Sequence, residues 1–287
     1  MATIFLSNRK FFVDIDNNFS ETKNIEAGTP QGSPLSPILF SLLINGIGKI
    51  LKKFNLKYAL FADDLTIWKI HSRINHIQKT LQTATTAIIK FFTKINLKVN
   101  SKKCQYSIFT NIRKELKMKI LINNQEIEYN PNPVILGITF DKKLNFIQHF
   151  DNLTKKMVSK INLLKILSNK SNRLNTKSLT NIFKSLILSK IQYSMIPFFH
   201  TNSKTQRNLQ TLQNKCLKII LGLPTRSNTK FIHQALDIEI LDKRLKRLTS
   251  NYLREASSSN QSVKDTIENT QSISSINIIS TLDKVND

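Results

Sequence analysis

Cysteine is nearly absent from this 287-residue sequence, which contains only Cys104 and Cys216. The two stand far apart, without a CxxC motif or a nearby group of cysteines and histidines. This scarcity excludes a disulfide framework and a structural zinc site. We therefore expect a protein of a reducing, intracellular compartment with no disulfide-linked partner, although the sequence does not distinguish nucleus from cytoplasm.

Long uninterrupted apolar runs are also missing. The apolar start, Met1 to Leu6, turns polar and basic at once and is too short for a signal sequence. The longest run, Leu35 to Ile50, is interrupted by serine, asparagine and glycine and falls short of a bilayer span. We expect no membrane segment and no membrane partner.

Acidic residues are scarce, since 19 Asp and Glu stand against 43 Lys and Arg and give a formal net charge of +24. A charge of this size favours a polyanionic partner, and nucleic acid is the leading candidate. Biased amino-acid usage is the alternative, because lysine, isoleucine and asparagine are abundant together. Hydrophobic residues make up 40% of the chain, which is enough for a real core and excludes a wholly disordered basic tail.

Three regions differ in pattern and together predict an α+β fold. Residues 1–141 alternate strand-like and helix-like stretches, and residues 142–256 are helical and basic. Residues 257–287 form a Ser/Asn-rich tail, which we expect to be disordered or loosely ordered because it has few apolar residues to bury.

Hydrophobic periodicity and turn residues predict the elements of the first region. A hairpin turns at Asn17-Asn18, and a helix over residues 35–51 has Ser36 as its N-cap and Pro37 as its first residue. The remaining elements are a second hairpin over 57–61 and 65–69, a helix over 72–94, and strands over 105–110, 116–122, 125–129 and 134–140, the middle two joined by Asn123-Asn124.

Two adjacent carboxylates stand at the tip of the second hairpin, in Tyr58-Ala59-Leu60-Phe61-Ala62-Asp63-Asp64. The apolar flanks hold the strands in a core while the turn exposes the acids, and carboxylate oxygens fixed in this way suit Mg²⁺. Such a site suits two-metal phosphoryl transfer. Taken alone, two aspartates in a turn are more often simply solvated.

A loop rich in glycine and proline, Gly28 to Pro37 (GTPQGSPLSP), leads into the first predicted helix. Its glycines let the backbone approach a ligand closely, and a helix N-terminus offers N–H groups to phosphate. Without a lysine it is not a Walker A loop. As a lone feature it is more often an ordinary loop before a helix.

Together, GTPQGSPLSP and YALFADD, separated by one amphipathic helix, closely resemble the palm of reverse transcriptases, especially those of jockey-like non-LTR retrotransposons. Further motifs match in Phe5 to Arg9, Leu97 to Lys103, and Leu136 to Asp141. Leu212 to Pro224 resembles the segment that follows the thumb, so the likeness covers residues 1–255. The resemblance implies a partial polymerase palm of antiparallel strands and helices, followed by an all-α thumb and a downstream helical region.

Roles follow from the resemblance residue by residue. It implies that Asp63 and Asp64 are the catalytic metal ligands, Asp64 the weaker, with Mg²⁺ as cofactor and Mn²⁺ as alternative. It implies a primer grip at Leu136 and Gly137. It implies an RNA template, a DNA primer and deoxynucleoside triphosphates as partners. The residues implied to bind template or nucleotide are Gly28, Pro30, Gln31, Gly32, Ser33, Phe61, Ala62, Lys102 and Lys103.

Basic helices follow the palm, with very few acids between Asn152 and Ile232. Apolar residues between the lysines keep helical spacing, so the lysines fall mostly on outer faces. We interpret this surface as a thumb that grips the nucleic-acid backbone, and a solubilising surface is the alternative. The lysines chosen for this role are Lys155, Lys156, Lys160 and Lys165.

The sequence departs from the family in one important respect. The family needs a further aspartate and fingers upstream of Phe5-Leu6-Ser7-Asn8-Arg9, and we expect a fragment that lacks both and is inactive alone. Asp14 and Asp16 lie after that segment and are interpreted as solvated turn residues. Asn96 stands where the family usually has glycine, which puts the local turn in doubt, and Phe61 stands where tyrosine is commoner.

The predicted function is RNA-directed DNA polymerase of a non-LTR retrotransposon, a nucleotidyltransferase. One alternative is a non-catalytic nucleic-acid-binding remnant that uses the same basic helices. Another is a group II intron-type reverse transcriptase. Ala62 before the two aspartates, where glycine would be usual, disfavours a viral RNA polymerase.

Overall fold

A computed structural model of the protein describes residues 7–25, 28–30, 32–169, 174–261 and 263–265. Gln31, Phe5 and Leu6 lie outside these residues, as does the tail beyond residue 265. The chain divides into two compact units. The first contains the residues up to 106 together with 114–129, and the second contains 107–113 and the residues from 130 onward. Helices and small two-stranded sheets occur together, which confirms the mixed α and β class.

The first unit combines short strands with helices. Its helices are α1 (Leu35–Ile44), α2 (Gly46–Lys53) and α3 (Ile74–Lys94), followed by a 3₁₀ turn at Ser101–Lys103. Its strands are β1 (Lys10–Phe11), β2 (Asp14–Ile15), β3 (Asn18–Phe19), β4 (Lys23–Asn24), β5 (Lys57–Phe61), β6 (Asp64–Trp68), β7 (Gln105–Tyr106), β8 (Leu121–Ile122), β9 (Gln125–Glu126) and β10 (Glu128–Tyr129).

The strands pair two by two. β1 pairs with β4, β2 with β3, β5 with β6 and β8 with β9, all antiparallel. β7 and β10 pair in parallel, so the strands of this unit are not all antiparallel as expected. The hairpins follow the predicted order along the chain, although most strands are shorter than the sequence pattern suggested.

Two hairpin turns use residues with positive φ, as tight two-residue turns require. Asn123 and Asn124 have φ of 49° and 62° and join β8 to β9, as predicted. The first turn lies at Asp16 and Asn17, with φ of 51° and 65°, one residue earlier than predicted. Asp16 fits the turn because its short polar side chain tolerates the left-handed conformation, as that of asparagine does. Asn18 is then free to begin β3.

The predicted helix over residues 35–51 is two helices, α1 and α2, separated at Asn45. Gly46 opens α2 against the ring of Phe91, where an added Cβ would lie 2.8 Å from a ring carbon. Ser36 is not the N-cap, because α1 begins at Leu35 and the Ser36 hydroxyl donates to the Pro30 carbonyl oxygen at 2.5 Å. Serine hydroxyls bond to nearby backbone groups in turns as well as at helix N-termini. Here the hydroxyl of Ser36 bonds to the preceding loop, so the predicted cap is wrong.

The stretch Leu35–Lys53 is also the one helical stretch in the described residues that is long and apolar enough to cross a membrane. Only 22% of it is buried within the protein. Its buried residues Ile44, Ile47 and Leu51 belong to the core of the first unit. One such helix is weak evidence, and the expectation of no membrane segment stays a prediction.

Helix α3 ends in a turn that the sequence left in doubt. Asn96 has φ of 56°, the left-handed conformation that ends many helices and that asparagine tolerates nearly as well as glycine. The Leu97 N–H donates back to the Phe92 carbonyl oxygen at 2.9 Å, and the Asn96 N–H to Thr93 at 3.2 Å. Asparagine therefore forms the turn for which the family usually has glycine.

The second unit is mostly helical. It begins with the strand pair β11 (Val134–Ile135) and β12 (Ile138–Thr139), which corrects the predicted single strand over 134–140. Its helices are α4 (Ile147–Leu167), α5 (Thr176–Phe183), α6 (Ser189–Tyr193), α7 (Met195–His200), α8 (Ser203–Leu221), α9 (Thr229–Leu236) and α10 (Leu241–Ser259), with a π-helical turn at Lys184–Leu188 between α5 and α6.

The helices of the second unit enclose one continuous apolar core. Leu164, Leu179 and Phe183 are fully buried in it, as is Leu217 of α8. Cys216 lies in the same core as a free thiol, and burial raises its pKa to about 12. At neutral pH it is protonated, so it acts as a small apolar side chain and not as a nucleophile.

Candidate functional site

The two candidate catalytic carboxylates lie at the tip of the β5–β6 hairpin. The turn consists of Ala62 and Asp63, because Asp64 is already the first residue of β6 and pairs with Phe61. Ala62 has φ of 50°, a conformation that an alanine rarely adopts and that the tight turn imposes. The prediction of adjacent acids at a hairpin tip is thus confirmed, with a turn one residue shorter than expected.

The β5–β6 hairpin packs on the core of the first unit through one of its two faces. Leu60, Leu65 and Ile67 share one face of the strand pair and pack against the core formed by α1, α2 and α3. Side chains alternate along a strand, so Phe61 and Asp64 lie on the opposite face. Phe61 is 65% exposed, and Asp64 is exposed beside it. Core burial therefore fixes the strands while leaving the carboxylates in solvent.

The resemblance implies a divalent metal at this tip, and the residues present fit it in part. Neither Asp63 nor Asp64 makes an ion pair or side-chain hydrogen bond with another described residue, so their oxygens remain available to a hard cation. However, the described part of the chain contains no group of three His, Cys, Asp or Glu residues able to hold a metal. The two acids supply part of a ligand set and not a complete one.

The loop before α1 has the backbone shape that its glycines predict. Gly28 and Gly32 have φ of 92° and 85°, and a Cβ added to either would meet nothing within 4 Å. Glycine is thus required for conformation and not for packing. Ser33 closes the loop onto the helix, since its hydroxyl accepts from the Leu35 N–H at 3.3 Å and its carbonyl from the Ser36 N–H at 3.2 Å.

Arg9 ties this loop to the first strands. Its guanidinium Nη2 donates to the Gly28 carbonyl oxygen at 2.5 Å. The sequence motif that ends at Arg9 and the loop that begins at Gly28 are therefore joined by one side chain. Nothing in the sequence predicted that bond, because the two residues are separated by two strand pairs.

Lys102 and Lys103 lie in the 3₁₀ turn that follows α3, and both are exposed. The Asn100 side chain caps the turn by accepting from the Lys102 N–H at 3.1 Å. The Ser101 hydroxyl donates to Gln125 at 2.6 Å and so fixes the turn to β9. The backbone of the turn is held, and the lysine side chains project from it, which is suitable for contact with a phosphate.

Leu136 and Gly137 form the turn between β11 and β12, with φ of 47° and 80°. The Tyr193 hydroxyl donates to the Leu136 carbonyl oxygen at 2.6 Å, which ties the turn to the end of α6. Leucine rarely adopts positive φ, so this bond stabilises a conformation that the residue itself disfavours. The role of the turn as a primer grip stays a prediction.

A buried histidine joins this hairpin to the helices behind it. The Thr139 N–H donates to Nδ1 of His149 at 3.2 Å, so the ring carries its proton on Nε2 and donates to the Ser194 hydroxyl at 2.8 Å. All three residues are buried. Burial, and secondarily the charge of Lys156, lowers the pKa of His149, so the ring is neutral and its contacts depend on that state.

The four candidate backbone-binding lysines, Lys155, Lys156, Lys160 and Lys165, are exposed on α4, as predicted. None forms an ion pair with a described acid. They do not form one row, however. On the helical repeat, Lys156 and Lys160 flank one side of the buried stripe of α4, Lys165 flanks the other, and Lys155 points away from it.

Comparison with known proteins agrees with the motifs. Residues 2–140 match the family model described as reverse transcriptase (RNA-dependent DNA polymerase). The RNA-directed DNA polymerase from mobile element jockey of Drosophila melanogaster is 27% identical over 254 residues, which is 87% of this chain and 28% of that protein. Its Drosophila funebris counterpart is 26% identical over 86% of this chain and 28% of its own length.

A third relative, the probable RNA-directed DNA polymerase from transposon BS of Drosophila melanogaster, is 24% identical over 86% of this chain and 28% of its own length. The resemblance to non-LTR retrotransposon reverse transcriptases is therefore confirmed. The chain spans about 28% of the length of the curated relatives it matches.

Proposed function

We propose that this chain, which over residues 2–140 belongs to the reverse transcriptase family, acts in RNA-directed DNA synthesis, joining deoxynucleoside triphosphates to a DNA primer on an RNA template. The observation that carries the proposal is the exposed pair Asp63 and Asp64 at a hairpin tip that packs on a helical core within the matched region. We place this activity inside the cell, in the nucleus or cytoplasm.

Each motif has a part in the proposed chemistry. Asp63, with Asp64 as the weaker partner, would hold Mg²⁺ or Mn²⁺, and the ion when bound neutralises negative charge on phosphate oxygens. The backbone of Gly28 to Ser33 lines the template and the incoming nucleotide. Lys102 and Lys103 contact the triphosphate. Catalysis of phosphoryl transfer is mostly positioning and charge stabilisation, and the proposal assigns both to these residues.

Two surfaces of the second unit complete the proposal. The turn at Leu136 and Gly137, braced by Tyr193, contacts the primer end. The lysines of α4 contact the phosphates of primer and template without reading sequence. Because the α4 lysines form no ion pair with an acid among the described residues, they present uncompensated positive charge to a polyanion.

We further propose that the 287-residue chain does not polymerise by itself. Magnesium prefers a near-octahedral shell of oxygens and gives up water reluctantly, and two adjacent carboxylates cannot hold two ions in that geometry. The described residues supply no third carboxylate beside this pair, and without one the attacking oxygen and the α-phosphate are not brought into line. We expect a loss of several orders of magnitude in rate.

The test is a chimera in which this chain replaces the matching segment of the Drosophila melanogaster jockey polymerase. Primer extension on poly(rA)/oligo(dT) is expected from the chimera and not from the chain alone. Asp63→Asn in the chimera should abolish extension, whereas Asp14→Asn, an exposed acid of β2, should leave it unchanged. Extension by the chain alone that Asp63→Asn abolishes would contradict the inactivity proposal and show that another acid completes the site.

A non-catalytic nucleic-acid-binding remnant is the second candidate, and the net charge of +24 favours it equally. A chimera that binds primer-template with normal affinity but extends no primer would favour this candidate. A group II intron-type enzyme, the other alternative, receives no support from the relatives described above, whose names refer to mobile elements and transposons.

A further inference from the structure

A cleft of about 690 Å³ lies in the second unit, outside the region that matches the reverse transcriptase family. Its walls come from α8, α9 and the start of α10. The α8 residues that line it recur at helical spacing, and they are Ser203, Gln206, Arg207, Gln210 and Asn214. This polar stripe faces a cleft of the size that holds a small ligand or one unit of a polymer.

The floor of the cleft is a hydrogen-bond network whose direction is fixed by backbone groups. The Leu241 N–H donates to Oε1 of Gln210 at 2.8 Å, so the Gln210 amide nitrogen must point the other way. It donates to Gln213 at 2.9 Å and to Oδ1 of Asn214 at 2.8 Å. Gln213 in turn donates to the Glu239 carbonyl oxygen at 3.0 Å, which confirms its orientation.

The same network holds the ring of His233. Its Nε2 lies 2.9 Å from Oδ1 of Asn214 and 3.5 Å from the Gln210 amide nitrogen, and its Nδ1 lies 2.7 Å from the Ile238 carbonyl oxygen. His233 is therefore fixed in the lining of the cleft by α8 and by the residues that follow α9.

The cleft carries positive charge from two side chains. Arg207 and Lys230 line it, and neither lies within ion-pair distance of a described acid. The one acid in its lining, Asp242, already pairs with Lys246 at 3.0 Å. An anion fits this lining better than a neutral or cationic ligand.

We propose that the α8–α9 cleft binds a phosphate-bearing unit of single-stranded nucleic acid through Arg207 and Lys230. Two cations on different helices suit the single charges spaced along a strand, whereas a free triphosphate concentrates its charge and is usually held by a nest of backbone N–H groups. The binding does not depend on the polymerase chemistry, because none of its residues lies in the hairpin or the glycine loop.

The test compares two double variants of the full chain by fluorescence anisotropy with a short labelled oligouridylate. Arg207→Gln with Lys230→Gln removes two charges from the cleft. Lys204→Gln with Lys215→Gln removes two charges from exposed positions of α8 that do not line it. We expect the first to weaken binding about tenfold and to reduce the salt dependence by about 1.4 log units per tenfold salt, at about 0.7 per contact.

The control double variant should weaken binding by about threefold or less at the same salt concentration. Equal losses in the two variants would overturn the proposal, since they would show that only total charge matters.

Adenosine triphosphate and inorganic phosphate serve as competitors. Displacement of the oligonucleotide by micromolar triphosphate, lost in the Arg207→Gln and Lys230→Gln variant, would show that a free nucleotide is the ligand and overturn the strand assignment. The measurement is binding and not primer extension, so failure here is distinct from failure of the polymerase proposal.

Discussion

The two units bury their apolar side chains to different extents. In the first unit Ile15, Phe19 and Leu42 are each 66% exposed, and a core around Ile47 and Leu51 holds the helices and the β5–β6 hairpin together. In the second unit one core runs through nearly every helix. Burial of apolar area contributes roughly 25 cal/mol per Å², so the second unit has much more of the main stabilising term.

The candidate catalytic site and the larger of the two cores lie in different units. The chain places its candidate catalytic acids and glycine loop on the unit with the smaller core, and the candidate backbone-binding lysines of α4 on the unit with the larger one. A lightly buried unit opens locally at lower free energy than a well-packed one. We expect the site to be the part of the molecule most dependent on what contacts it, and four predictions test this contrast.

The largest change in stability is expected from replacing a buried leucine by alanine, and the same replacement is compared between the two units. Leu164→Ala removes a fully buried side chain of the second unit and should cost about 3 kcal/mol of unfolding free energy. Leu42→Ala removes a side chain that is 66% exposed in the first unit and should change stability by about 0.5 kcal/mol or less. Urea unfolding followed by far-UV circular dichroism measures the first, and fluorescence of Trp68, the single tryptophan, measures the second.

A cost for Leu42→Ala close to that for Leu164→Ala would break the comparison. It would mean that the exposed face of α1 is covered in solution, by a second copy or by another surface. The oligomeric state of the two variants, measured by light scattering, distinguishes these cases.

The second prediction concerns the tightest packing in the first unit. A Cβ at Gly48 of α2 would collide with the Tyr58 hydroxyl of β5. Gly48→Ala should therefore cost about 1 to 2 kcal/mol of unfolding free energy, although alanine is intrinsically the better helix former by about 1 kcal/mol. The Trp68 transition measures the loss, because Trp68 lies on the strand paired with β5.

The matched control is the same substitution in a Tyr58→Phe background. Removing the hydroxyl removes the collision, so Gly48→Ala should become neutral or stabilising there. An unchanged cost in both backgrounds would show that the Tyr58 ring, and not its hydroxyl, limits the approach of α2 to the hairpin.

The hairpins show how much of the fold the sequence could predict. Apolar flanks around Asp63-Asp64 and the Asn123-Asn124 pair predicted two hairpins, because alternation and positive-φ residues are local signals. The two-helix break at Asn45 was missed because the apolar periodicity continues through it, and the close packing of Gly46 on the ring of Phe91 joins residues distant in sequence. The strand predicted over 134–140 failed because Leu136 adopts positive φ, which no propensity favours.

The candidate site also combines features that the sequence predicted with features that it did not predict. Asp63, Asp64 and the loop from Gly28 to Ser33 were recognised as motifs, since each is a short contiguous pattern. The contacts that hold them were not, because Arg9 to Gly28 and Tyr193 to Leu136 join residues far apart in the chain. The cleft of the second unit was missed for the further reason that its signal, a stripe of amides and Arg207 along α8, resembles an ordinary solvated helix face.

The third prediction compares charge between the two units. Lys156→Gln with Lys160→Gln, on α4 of the second unit, should weaken RNA binding about fivefold and lower its salt dependence by about 1.4 log units per tenfold salt. Lys52→Gln with Lys53→Gln, at the end of α2 in the first unit, removes the same charge and should change affinity about twofold or less. Anisotropy titrations at several salt concentrations measure both, and equal losses would contradict a binding surface on α4.

The smallest effect expected is a pH dependence confined to the second unit. Burial lowers the pKa of His149 and of His200, with the charge of Lys156 as a second cause for His149. The unfolded chain then binds protons more readily than the folded one, so stability is full above the ordinary histidine value of about 6.5 and falls as the pH drops below it. Protonation of His149 would also break a hydrogen bond, because an N–H at Nδ1 would face the Thr139 N–H that now donates to it.

The urea midpoint followed by circular dichroism should therefore decrease between pH 7.5 and 5.5, by less than the Gly48→Ala variant changes it. In His149→Gln with His200→Gln the decrease should be much smaller. An equal decrease in that variant would assign the pH dependence to other groups and leave the buried histidine as a fixed connector of β12 and Ser194.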